Sequence, residues 1–436
     1  MSSSSLSSRG SALIGKPLRA DFDKFALAEE NPYDAVENPL GAISLCIAEN
    51  VLSWPEIGAK LQEIAQRPIP QWVSKYTSIL GAPPFREALA RFAERHITTI
   101  GGKRVQYLSN EHFAVSSGAT AIVELTALLL CDDGDVAAFP APCYPVYTQD
   151  VGNKAKVGRY DILPAAAWEN TPGQHPLSVQ DLDRSSAEIS AQGNRLKLLV
   201  LTQPDNPTGV IYSQPQLEQI ADWCIKNEVH LCVNELYVLS QIDYNDPQLA
   251  SDYGAQPVKF YSFLHEVERR KSPFLHWWYS FSKDFGISGL RTGVMYTRNE
   301  ELLEALGNYG APSLVSNHTQ WLLSEILADG EWVSAFAKTN QQRLTKSYVK
   351  VIDALRKQHI LYFPARGSLF VWAKLNGKQS TSDIEFWSKL FDDQQVLLTA
   401  PGGFGHTENG WLRIVYSCVD AAQLEVALQR LAVSSQ

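Results

Sequence analysis

Short apolar runs recur along the first three hundred positions. Each ends in small or polar residues, and most are followed by a stretch with helical periodicity. The runs at 42–47, 113–115, 135–139, 198–201, 230–233, 274–279 and 293–297 read as strands. They are continuous rather than alternating, so both faces of these strands should be covered. Amphipathic helices are expected at 55–65, 85–96, 121–131 and 213–226, while 160–195 reads as irregular and polar. Strand, loop and helix in repeated succession imply an α/β fold with a mostly parallel sheet and helices on both faces.

After Leu314 the pattern changes. Residues 314–358 are helical with a break expected near Gly330, and strands are expected at 360–363, 368–374 and 411–416. A glycine-rich loop, Thr399-Ala400-Pro401-Gly402-Gly403-Phe404-Gly405, lies between the last two. This is the pattern of a connector leading into a second, smaller α+β domain. Three segments are expected: an N-terminal arm and lead-in over 1–54, a large domain over 55–312 and a small C-terminal domain over 313–436.

Composition fits a large buried core. Of 436 residues, 45% are hydrophobic and 19% charged. The net charge of −9 argues against a general nucleic-acid or anionic-membrane partner. The six cysteines form no Cys-x-x-Cys pair and sit mostly in apolar runs. They read as small buried hydrophobes in a reducing compartment, not as a disulfide frame or a metal site. The serine-rich start, Met1 to Gly10, has no apolar core of a signal peptide, and no apolar run reaches the ~18 residues of a membrane span. A cytoplasmic protein is expected.

Residues able to do chemistry fall at the ends of the strands. The most informative stretch is Ser280-Phe281-Ser282-Lys283-Asp284-Phe285-Gly286-Ile287-Ser288-Gly289-Leu290-Arg291. A lysine amine beside hydroxyls and a guanidinium suits an aldehyde held as a Schiff base next to a phosphate, as in a pyridoxal phosphate (PLP) site. A solvated surface loop is the ordinary alternative. Ser116-Ser117-Gly118-Ala119-Thr120 joins a strand to a helix N-terminus, which can hold an anion through backbone N–H groups. Tyr144 follows one strand end and could stack on a planar ring or simply pack. Asn206 lies in an Asn-Pro-Thr-Gly turn, and Asn234-Glu235-Leu236-Tyr237 ends another strand. Arg413 stands inside an apolar strand, where it needs an anionic partner or a structural ion pair. Glu49, an acid beside apolar sequence, reads first as a capping or turn carboxylate. No G-x-G-x-x-G motif marks a dinucleotide site.

Taken together these residues resemble a known family. The chain is similar to fold-type-I PLP enzymes of the class I/II aminotransferases. Within them it looks most like the 1-aminocyclopropane-1-carboxylate synthase branch. The similarity runs from Leu6 almost to the C-terminus and rests on Asn38-Pro39-x-Gly41, Ile47-Ala48-Glu49-Asn50, Gly81-x-Pro83-x-Phe85-Arg86 and Ser117-Gly118-Ala119-Thr120, besides the stretch around Lys283. The resemblance implies a seven-stranded sheet, PLP as cofactor, an amino-acid substrate and a homodimer. It implies that Lys283 binds the cofactor and moves a proton, and that Ser280, Ser282, Arg291 and the Gly118-Ala119-Thr120 turn hold phosphate. Tyr144 would stack on the ring, Asn206 and Tyr237 would bond its phenolate oxygen, Arg413 would clamp the substrate carboxylate, and Glu49 would face the substrate.

Two positions depart from the family pattern. Asn234 stands where the family has Asp, which holds the ring nitrogen protonated. A neutral amide supplies no such charge, so a weaker electron sink is expected at this catalytic position. Ile79 stands where the synthase branch has a tyrosine that reaches the substrate region across the dimer. The implied activity is elimination, substitution or cyclisation with loss of a side-chain leaving group, S-adenosylmethionine being one candidate substrate. Transamination is the alternative, and a non-catalytic relative is a third reading.

Overall fold

The computed structural model describes residues 5–15, 19, 21–101, 104–253, 257–377 and 381–434. Part of the serine-rich start, residues 1–4, lies outside them. Among the described residues there are eleven strands: β1 Ile43–Leu45, β2 Phe113–Ser116, β3 Val136–Pro140, β4 Gly158–Ile162, β5 Leu196–Thr202, β6 His230–Asn234, β7 Leu275–Ser280, β8 Gly293–Thr297, β9 Phe370–Lys374, β10 Val396–Leu398 and β11 Trp411–Val415.

Seven of them form one sheet in the order β2-β8-β7-β6-β5-β3-β4. Pairing is parallel from β4 through β3, β5 and β6 to β7, and antiparallel where β8 meets β7 and β2. The apolar runs explain this arrangement. Strands β6, β7 and β8 are buried at every position, as expected when helices cover both faces. One hydrophobic core packs Phe85, Phe92, Leu199, Leu201, Trp277 and Phe281 on one face. Another packs Ile122, Phe139, Tyr147, Cys232, Trp278 and Met295 on the other.

A separate core joins the N-terminal lead-in to the C-terminal part of the chain. Ala42, Ile43 and Leu45 pack with Leu344, Ile352, Phe370, Leu397, Ile414 and Leu424. Within it β1 pairs with β10 in parallel, and β9 pairs with β11 antiparallel. The 28-residue helix Gly330–Lys357 reaches this core after a break from the helix Asn317–Ala328. Asp329 makes the break, accepting from the N–H of Trp332 as the cap of the second helix.

Two expected elements differ, and one strand is additional. The stretch 160–195 is not irregular: it holds most of β4 and the helix Val179–Ala191, started by a Ser178–Asp181 capping box. Its inward face carries only Leu182, Ser185 and Ile189 besides the buried cap partner Asp181, so its apolar signal is thin. Residues 360–363 make a single bridge, Tyr362 to Ala373, instead of a strand. The three-residue strand β10 was not expected.

All six cysteines are free thiols. Among the described residues there is no His/Cys/Asp/Glu cluster able to hold a metal, and no helix is long and apolar enough to cross a membrane.

Candidate active site

The C-terminal ends of β3, β5, β6 and β7 open toward one cavity of about 320 Å³. This is the edge at which open α/β sheets bind ligands. The sheet supplies Ala119, Thr120, Tyr144, Asn206, Asn234, Tyr237, Ser280, Ser282, Lys283 and Arg291, while Glu49 and Arg413 close the cavity from the other core. The residues expected to act together are thus brought together, with two exceptions. Gly118 stands just behind the wall as the residue that starts the helix Ala119–Leu130. Ile79 does not line the cavity of its own chain. The loop carrying it packs beside the sheet, where a side chain added at Gly310 would meet the Ile79 methyl at 3.3 Å.

Lys283 sits on the single helical turn Phe281–Asp284 that follows β7. Ser280 begins that turn: its hydroxyl accepts from the Ser282 N–H at 3.2 Å and donates to the Thr292 carbonyl at 3.0 Å. The Lys283 amine donates to the Ala48 carbonyl at 2.5 Å. Burial, reinforced by the Arg413 charge, lowers its pKa from 10.5 to about 8, against a smaller upward pull from Glu49. Such an amine has a reactive neutral fraction near neutrality.

An anion cradle lies beside it. Gly118 has φ +99°, and a Cβ there would sit 2.4 Å from Nη2 of Arg291. Only glycine lets the guanidinium approach the helix N-terminus this closely. Arg291 itself adopts φ +46°, with Nη1 donating to the Ser288 carbonyl at 2.9 Å. Backbone N–H groups, two serine hydroxyls and a guanidinium together suit a phosphate dianion.

Farther in, the Asn234 amide donates from Nδ2 to the Tyr147 hydroxyl at 3.1 Å, and that hydroxyl pairs with Thr202 at 2.9 Å. Oδ1 of Asn234 is buried without a partner. Tyr144 meets Tyr147 edge-on, with ring centroids 5.4 Å apart. Tyr237 is 2% exposed, and burial raises its phenol pKa.

Arg413 is 2% exposed and has no carboxylate partner among the described residues. Its nitrogens donate to Thr399 Oγ1 at 3.1 Å, Asn206 Oδ1 at 2.9 Å and the Cys46 carbonyl at 3.1 Å. Burial first, then the Arg19 charge, brings its pKa down to about 10. A buried cation held only by neutral groups is suited to an incoming carboxylate.

Among the cavity residues that escaped the sequence reading, three carry a charge or a phenol. Arg19 reaches in from the N-terminal lead-in, paired to Asp21 and donating to the Cys46 carbonyl at 3.3 Å. Tyr147 and Asp150 come from the short helix Tyr147–Gly152 after Tyr144. Tyr147 follows Tyr144 by three residues, a helical spacing that could have signalled it; nothing local marks Arg19.

These groups fit PLP. The glycine-walled cradle matches its phosphate, the softened lysine its aldehyde, and the unpaired Asn234 oxygen a polar atom of its ring.

The comparisons agree. A protein of Mus musculus named probable inactive 1-aminocyclopropane-1-carboxylate synthase-like protein 2 is 28% identical over 99% of this chain and 72% of its own length. A 1-aminocyclopropane-1-carboxylate synthase of Glycine max is 28% identical over 94% of this chain and 84% of its own. Among solved structures, the aspartate aminotransferase of Thermus thermophilus with maleate shares the fold. Its TM-score is 0.76 at 19% identity, covering 99% of this chain and 100% of that one. The profile of the family Aminotransferase class I and II matches residues 43–431, and the chain belongs to that family as a PLP-dependent enzyme.

Proposed function

We propose that the protein acts on an α-amino acid with loss of a side-chain leaving group, by elimination, substitution or cyclisation. The observation that carries this is the placement of Glu49. It lines the same cavity as Arg413 and lies close enough to Lys283 to raise its pKa. A carboxylate facing the substrate favours a cationic or strongly polarised side chain, such as the sulfonium of S-adenosylmethionine, over a second carboxylate. The synthases among the relatives support the same reading.

When bound, PLP supplies an electron-accepting ring conjugated to the substrate amine. The rest is done by the chain. Arg413 takes the substrate carboxylate in a two-pronged contact and so fixes the direction of the Cα–H bond. The Lys283 amine, softened by burial, would be the base that takes the Cα proton. Ser280, Ser282, Arg291 and the N-terminus of the helix after Gly118 hold the phosphate, and Asn206 and Tyr237 serve the phenolate oxygen. This reading includes the division at 1–54, 55–312 and 313–436, supported by the separate hydrophobic cores. It also includes a cytoplasmic homodimer, in which the Ile79 loop would serve the partner's cavity.

Transamination is the second reading, and the aminotransferase folds among the solved structures favour it. The test is a single-turnover mix of PLP-loaded protein with a panel of amino acids that includes S-adenosylmethionine. Loss of a side-chain group with the cofactor still in its aldehyde form supports the proposal. Stoichiometric conversion of the cofactor to its amine form, with release of a keto acid, overturns it.

A further inference from the structure

Asp150 is the least expected group in the cavity. It is 5% exposed, and among the described residues no hydrogen bond or ion pair reaches its carboxylate. It lines the cavity together with Val123, Tyr147, Thr202 and Asn234. The groups that face it are few. Tyr144 and Tyr147 feel its charge, and both are pushed toward the neutral phenol by it and, more strongly, by burial. From the helix Ala119–Leu130 comes Glu124, of like sign and already paired to Lys154 at 2.6 Å. Among the described residues no cation pairs with Asp150. Burial, with a smaller push from Glu124, raises its pKa to about 7.

A buried carboxylate without a donor or a cation is costly unless something arrives to pair with it. The same end of the cavity holds the unpartnered Oδ1 of Asn234, an acceptor also lacking its donor. One group would answer both vacant demands: a protonated aromatic nitrogen, which brings an N–H and a positive charge.

We infer that Asp150 is the counter-anion of the protonated cofactor ring: Asn234 Oδ1 accepts the ring N–H, and Asp150 supplies the negative charge that Asn234 cannot. The two tasks that one aspartate performs in the resembled pattern are here divided between two residues. The Asn234 NH₂ is engaged by the Tyr147 hydroxyl, itself paired with Thr202, which leaves Oδ1 as the acceptor this amide has to offer. Asp150, one helical turn beyond Tyr147, sets the field. The ring remains a usable electron sink, although a charge acting from a separate residue stabilises the proton less than a carboxylate in contact. The inference rests on the cofactor alone and holds for either reaction.

PLP enriched with ¹⁵N at the ring nitrogen tests it, because the chemical shift reports protonation of that atom directly. At pH 7.5 the wild-type holoenzyme should show a protonated nitrogen. D150N should show an unprotonated one and bind PLP about tenfold more weakly by equilibrium dialysis, as expected for about one pK unit. The double variant D150N/N234D should recover the protonated shift, which a merely structural Asp150 would not predict. An unprotonated ring in the wild type overturns the inference without any variant. So does a protonated ring in D150N. Transient product analysis of the same samples reports the reaction separately, so failure of either reading is distinguishable.

Discussion

Nη1 of Arg413 donates to Oδ1 of Asn206 across 2.9 Å, joining β11 of the C-terminal core to the turn that follows β5 of the main sheet. The two residues are 207 positions apart. In the proposed function this contact would hold the carboxylate site in register with the ring site, so that the two could not drift independently. Arg413→Ala removes a buried charge-assisted clamp and should cost about 2–5 kcal/mol in kcat/KM, at least a thirtyfold loss. Arg413→Lys keeps the charge but not the fork, and should recover only part of it. Steady-state kinetics on both variants check this. A Lys variant with wild-type KM would remove Arg413 from the carboxylate site.

Lys283 makes the cofactor-free enzyme pH-sensitive. Its folded-state pKa lies near 8, below the usual 10.5, chiefly through burial. Capture of PLP needs the neutral amine, so the capture rate should rise roughly tenfold per pH unit below 8 and level off above it. Stability follows the same group. Below pH 8 the amine is protonated in both states and the burial penalty is full. From pH 8 to about 10.5 the unfolded chain holds more protons than the folded one, so stability rises with pH. Lys283→Met removes the penalty and should make the cofactor-free protein more stable at pH 7, by roughly 3 kcal/mol. Stopped-flow capture and urea unfolding at several pH values measure the two effects. A capture rate independent of pH between 6.5 and 8 contradicts the assignment.

Gly118 has two reasons to be glycine. Its φ of +99° disfavours any L side chain, and a Cβ would collide with the Arg291 guanidinium at 2.4 Å. Gly118→Ala therefore strains the turn by about 1–3 kcal/mol and displaces a phosphate donor. PLP affinity should fall at least tenfold, while Gly134→Ala should leave it unchanged: Gly134 has φ +90° with nothing near its Cβ position. Fluorescence titration with PLP compares the two. Equal losses would point to backbone strain alone, not to the cradle.

Much of this site is legible in the chain because it is built at strand ends. Ser280–Lys283, Asn234–Tyr237 and Asn206 each follow an apolar run that can be one thing only, a strand buried on both faces. Asp150 and Arg19 are not legible for opposite reasons. Asp150 lies on a short helix among polar neighbours, and only the fold shows that its face turns inward. Arg19 pairs with Asp21 and donates to the Cys46 carbonyl, long-range and local contacts that no periodicity announces. In the fold, the helix Val179–Ala191 hides because its few inward positions include Ser185, and β10 because three residues carry no periodicity. Asn234 was legible as a neutral substitution, but its consequence was not. A substitution that removes a charge can be read only when the surrounding charges are known, and Asp150 belongs to those surroundings.

In the proposed function Glu49 would decide between kinds of substrate. Its backbone is fixed, since its carbonyl accepts from the Ser417 hydroxyl at 2.6 Å and its neighbour Ala48 accepts from Lys283. The side chain is exposed and lines the same cavity as Arg413. Glu49→Gln removes the charge at nearly constant volume. At an effective dielectric near 20, one charge a few ångströms from a cationic side chain contributes about 1–4 kcal/mol before solvent screening. Partial exposure reduces this, and a loss of about 1 kcal/mol, roughly fivefold in KM, is expected for S-adenosylmethionine. An uncharged amino acid such as alanine should bind either protein alike, and a dicarboxylic amino acid should bind Glu49→Gln more tightly. Binding titrations of the three ligand types, read from the cofactor absorption band, provide the comparison. If all three shift together, Glu49 acts on Lys283 and not on the substrate side chain, and the preference for a cationic leaving group loses its support.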